Sequence, residues 1–145
     1  MLPYILLLIY LVILLSSCGY AIRFGGKSEV YGATIMIVGS FLTPVVGYLF
    51  DSRWRSTEFG VLLVDLVVLS LFLVLALRSD KYWPLWTTAF QVIGVVTHLA
   101  RFVDPGIIPR AYSIAQGFWA YPMLVALVIG ARGDRIAARI NAGRY

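Results

Sequence analysis

Two ionisable residues lie inside long apolar stretches of this chain, Asp65 and His98. Burying such a group among lipid tails is costly unless it is paired or lines a polar cavity, so each marks a candidate proton relay or polar ligand site. Around His98 a stripe follows: Thr87, Gln91, Gly94, His98 and Arg101 recur at steps of 4, 3, 4 and 3, which keeps them on one face of a helix. Ser113 and Gln116 fall at a similar distance from the end of the next apolar stretch. The expected site is therefore a polar intramembrane cluster of Asp65, Gln91, His98, Arg101, Ser113 and Gln116. Metal chemistry finds little support in the composition. The chain has one histidine and one cysteine, too few for bis-histidine haem or an ordinary zinc site. No paired catalytic carboxylates or nucleophile triad can be drawn, so no catalytic residue is assigned and a non-enzymatic role is favoured.

The elements that must position these residues are apolar helices. The hydrophobic fraction is 61% and the charged fraction 13%, with a mean hydropathy of +0.88. Soluble domains carry about 45–50% apolar and about 25% charged residues, so the excess points to lipid as the solvent. The formal charge of +5 is spread over short connectors and a tail beside the apolar stretches. It reads as orientation and contact with anionic headgroups, with no nucleic-acid partner expected.

A spanning helix needs about 20 mostly apolar residues. Five stretches qualify, over residues 2–22, 30–50, 59–77, 83–103 and 111–131, with a four-span arrangement as the alternative. A basic amphipathic tail, 132–145, follows. Arg132, Arg135 and Arg139 share one face of it, and Ile136 and Ile140 lean to another. The expected fold is thus all-α, a single polytopic membrane bundle with short loops. Arg23, Lys27, Arg78, Lys81 and the four tail arginines fall on one side, against Arg53, Arg55, Arg101 and Arg110 on the other. Basic residues favour the cytoplasm, which puts the N-terminus outside and the C-terminus inside, in a membrane of the bacterial inner type.

Small residues at four-residue intervals, Gly39, Thr43 and Gly47 in the second span and Ala126 and Gly130 in the fifth, are expected to bring helices close together. Pro44 and Pro122 should kink their helices. Trp54, Tyr82, Trp83 and Trp86 are placed as interfacial anchors, since aromatic rings favour the headgroup level. Trp119 and Tyr121 lie deeper and could flank a flat apolar ligand such as a quinone or carotenoid; otherwise no cofactor is expected. Leu15-Ser16-Ser17-Cys18 resembles the lipobox of bacterial lipoproteins over four residues. Met1-Leu2-Pro3-Tyr4, however, carries no basic residue of an export signal, and the segment reads as ordinary helix.

Three functions compete. The favoured one is a non-catalytic accessory or assembly subunit that packs against other membrane subunits or itself. The second is a small oligomeric transporter or proton conductor built on Asp65 and His98. The third is a quinone- or pigment-binding membrane protein.

Overall fold

The computed structural model describes residues 2–54, 57–103 and 117–143, with side chains outside 2–3, 50–54, 57–58 and 101–102. Among these residues every regular element is a helix: α1 (Leu2–Phe24), α2 (Lys27–Trp54), α3 (Thr57–Arg78), α4 (Trp83–Val103) and α5 (Ala120–Ala142). Each packs against its neighbour in sequence, and α5 closes the ring by lying between α4 and α1. The shared core takes Leu14, Cys18 and Ala21 from α1, Ala33 and Met36 from α2, Phe72 from α3, Trp83 from α4, and Met123, Leu124, Leu127 and Ala131 from α5. Cys18 is fully buried there, as a small apolar side chain would be.

Among the described residues, three helical segments are long and apolar enough to cross a membrane, Tyr4–Phe24, Lys27–Leu49 and Phe59–Arg78. Helix α4 is not among them, because Thr87, Thr88, Gln91, Thr97 and His98 lower its apolar character. It turns Leu85, Trp86, Val92, Ile93, Val96 and Leu99 outward and buries Trp83, Thr87, Gln91 and His98. Although Pro84 and Val95 also face in, burying polar residues while exposing so many apolar ones is the reverse of a helix on a water-soluble protein.

Several boundaries differ from the sequence reading. The break between the first two helices is only Gly25-Gly26, so α2 starts at Lys27 and Glu29 falls in its first turn. A Cβ on Gly25 would run into the Glu29 side chain and the Ala21 carbonyl, so the chain reverses here only with glycine. The described part of the fifth helix begins at Ala120, and it runs through to Ala142 unbroken, so the tail is a continuation of α5 and not a separate helix. Pro122 lies in the first turn of α5, where a missing N–H has no partner to lose, so it does not kink the helix. Pro44 sits within the continuous α2. One residue earlier, the Thr43 hydroxyl donates to the Gly39 carbonyl at 2.8 Å.

Candidate functional site

Two polar clusters occupy opposite ends of the buried face of α4. The first is built from the α1–α2 turn, the α3–α4 connector and α5. Gly26 stands just before α2, and its backbone N–H donates to Glu29 Oε2 at 3.0 Å. This is the reach-back half of a capping box: a glutamate three residues into the helix satisfies the N–H that precedes it. Its acidic side chain also suits the positive end of the helix. The Ser28 hydroxyl donates to the same oxygen at 2.9 Å.

The cluster then draws in distant parts of the chain. Lys81 Nζ donates to Glu29 Oε1 and Oε2 at 2.9 and 2.7 Å and also to Asp134 Oδ2. Gly26 N–H bridges to Asp134 Oδ2 at 2.7 Å, and the Trp83 indole N–H donates to Glu29 Oε1 at 2.7 Å. Glu29 is wholly buried and accepts from four different residues, which satisfies both of its oxygens away from water.

Charge in this cluster is coupled to pH from two sides. Burial pulls the Lys81 pKa down, but hydrogen bonds to Asp134 and Glu29 and their charges outweigh it and leave the ammonium above its ordinary value. Burial pushes Asp134 up, and its bonds from Lys81 and Gly26 N–H outweigh that and hold the carboxyl below its ordinary value. The Asp134 contribution is complete above its unfolded value and is lost as pH falls through the lowered folded one. The Lys81 contribution is complete below its unfolded value and is lost as pH rises through the raised one. Thermal stability in detergent should therefore be flat near neutrality and fall below about pH 4 and above about pH 10. Asp134→Asn should shallow the acid limb and, because Asp134 is one of the partners that raise Lys81, trim the alkaline limb as well. An acid limb as steep as that of the unaltered protein would remove Asp134 from the account.

The second cluster joins α3 to α4. His98 Nε2 lies 2.7 Å from Asp65 Oδ2, and Gln91 Nε2 donates to Asp65 Oδ1 and to its backbone carbonyl, both at 3.3 Å. His98 is buried, whereas Asp65 keeps some exposure because it lines a cavity of about 900 Å³. Thr87, between the two clusters, is fully buried and donates to the Trp83 carbonyl at 3.0 Å.

The cavity lies between all five helices, with Asp65 and Gln91 on one wall and Tyr10, Ser40 and Thr43 on another. Tyr10 and Ser40 hydroxyls bond to each other at 2.7 Å. Phe118, Trp119 and Tyr121 form an aromatic wall, with Trp119 stacked beside Phe90 at 6.4 Å and Tyr121 edge-on to Tyr10 at 5.8 Å. The Trp119 indole N–H is buried, and among the described residues it has no hydrogen-bond partner.

Of the residues expected to act together, the structure joins Asp65, Gln91 and His98 in one network. The Arg101 side chain, Ser113 and Gln116 lie outside the described residues, as does the Trp54 side chain. Gly39 faces α3, where a Cβ would sit 3.0 Å from Val68, and Gly39, Thr43 and Gly47 all line the cavity. Ala126 is buried, and Gly130 receives the face of Trp83. Tyr82 and Trp86 are exposed in the manner of anchors, but Trp83 is not one: it is buried between Gly32 and Gly130 and bonded to Glu29. The sequence reading left Glu29, Lys81 and Asp134 in loops and tail. The signal that could have found Glu29 was its place three residues after Gly26, the spacing of a capping box. Among the described residues no three histidine, cysteine or acidic side chains converge as metal ligands.

Neither a protein-family model nor a curated protein nor a solved structure matches this chain. What defines its class is the helical bundle itself, with three helices able to cross a membrane.

Proposed function

We propose that this is a five-span, non-catalytic membrane protein that holds a quinone-type ligand in the cavity beside Asp65. The observation that carries the reading is an aromatic-walled cavity of about 900 Å³ with polar groups on its walls. Ligand sites for molecules of that size are of this kind, mostly apolar with a few placed polar groups. A quinone head offers carbonyl oxygens that accept and, when reduced, hydroxyls that donate. The unpartnered Trp119 N–H matches the first and the Asp65 carboxylate the second. A pure hydrocarbon such as a carotenoid would use neither.

The inverted faces of α4 support membrane spanning by that helix as well as by the three more apolar ones. The excess of Lys and Arg at the α1–α2 turn, the α3–α4 connector and the tail supports an N-out, C-in orientation in a bacterial inner membrane. An accessory role beside a larger membrane complex is compatible with ligand holding.

The test is purification in a mild detergent followed by extraction, mass spectrometry and titration with ubiquinone and menaquinone analogues. Quinone should copurify, and Trp119→Phe should weaken its retention about tenfold, the loss of one hydrogen bond. A wild-type protein that neither carries nor binds a quinone sinks this reading. Stoichiometric partner chains in the same preparation would bring the accessory role forward.

A further inference from the structure

A second concavity, of about 550 Å³, lies between α1 and α5 near the end of α1, lined by Tyr20, Val128, Arg132, Arg135, Ile136 and Arg139. We propose that it is a binding site for the headgroup of an anionic phospholipid in the cytoplasmic leaflet. Three guanidinium groups line one groove, and among the described residues none of them pairs with a carboxylate. The nearest acid in sequence, Asp134, is already engaged by Lys81 and the Gly26 N–H.

Arg135 is fixed in place over the Phe24 ring at 4.0 Å and near Tyr20 at 5.8 Å, a cation–π arrangement that orients its planar fork. Phe24 is the last residue of α1, so the charged end of the groove stands where the apolar helix finishes. The other end is Val128, with exposed Val125 and Ile129 continuing the apolar surface along α5. From Val128 to Arg139 the helix rises about 16 Å, the step from acyl chain to phosphate in one leaflet. A free phosphate would use only the arginine end, whereas a phospholipid uses both, and a guanidinium fork matches a phosphodiester with two parallel hydrogen bonds.

The experiment is native mass spectrometry of the full chain, released from nanodiscs of phosphatidylglycerol mixed with phosphatidylcholine. The expected result is retention of phosphatidylglycerol at least about tenfold over its share of the bilayer. Arg132→Gln/Arg139→Gln, which leaves the stacked Arg135 untouched, should abolish that preference. Lys27→Gln/Arg78→Gln removes the same charge from exposed positions on the same side and should keep it. Equal loss in both pairs would mean diffuse attraction and overturn the site, as would equal retention of the two lipids by the unaltered protein. Displacement of the lipid by millimolar inorganic phosphate would reassign the groove to a soluble anion. If the arginine pair does not fold, the two-lipid comparison on the unaltered protein still decides.

Discussion

Replacing Glu29 with alanine should destabilise the bundle by about 3–5 kcal/mol, the cost of removing one member of a buried ion pair. The side chain has no exposure, so its removal leaves a space closed to water. Lys81 would keep Asp134 as a counter-ion and, being partly exposed, would recover some hydration, which limits its share. The Trp83 indole has no such recourse: its N–H would be buried without an acceptor, a penalty of about 1–3 kcal/mol by itself. Glu29→Gln separates the two effects. With its single amide oxygen turned to Trp83 it keeps that acceptor, loses the one that Gly26 and Ser28 use, and weakens the contact with Lys81, so its cost should lie below that of alanine. Reversible unfolding in mixed micelles measures both. An alanine variant within about 0.5 kcal/mol of the unaltered protein, the usual spread for surface changes, would mean that the cluster is not what fastens these helices together.

The second large effect is steric. Trp83 lies with its ring against the backbone of α2 on one side and α5 on the other, because Gly32 and Gly130 carry no side chain. A Cβ at Gly130 would collide with the body of the indole, Cγ and Cδ1 included, which cannot swing aside without giving up Glu29. Gly130→Leu should therefore cost about 3 kcal/mol, the upper part of the range for overpacking. Gly133 lies three residues further along the same helix and would have nothing within 4 Å of its Cβ. Gly133→Ala should leave the protein unchanged or stabilise it by up to about 1 kcal/mol, the gain in helix propensity. Similar losses at both positions would indicate a general intolerance of α5 and discard the role given to Trp83.

What the sequence made legible were features written in one dimension. The long apolar stretches yield helices, and three of them meet the requirement for crossing a membrane. The spacing of Thr87, Gln91 and His98 put all three on one face, and that face is the buried one. What stayed hidden depended on partners far along the chain. Glu29 lies 52 residues from Lys81, and Gly26 lies 108 from Asp134. In a membrane protein, charged residues at helix ends ordinarily meet water and headgroups, so composition alone marks them as exposed. A helix that starts three residues earlier than its apolar stretch rotates Glu29 inward, and that shift is set by Gly25-Gly26, not by hydropathy. Trp83 was misjudged for the same reason: an aromatic residue opening a helix is usually an anchor, and only the glycines facing it reveal otherwise.

The Glu29 cluster also imposes an order on biosynthesis. Its members emerge from the ribosome in three instalments, with Gly26 and Glu29 first, then Lys81 and Trp83, and Asp134 last. After the second instalment the carboxylate has its ammonium and its indole, so the first four helices can be joined before the fifth exists. Arrival of Asp134 adds the last counter-ion to Lys81 and ties the far end of α5 to the Gly26 backbone. The contact that fastens the bundle thus closes only once α5 has been made, and a nascent chain halted ahead of Asp134 would leave α5 without its polar fastening.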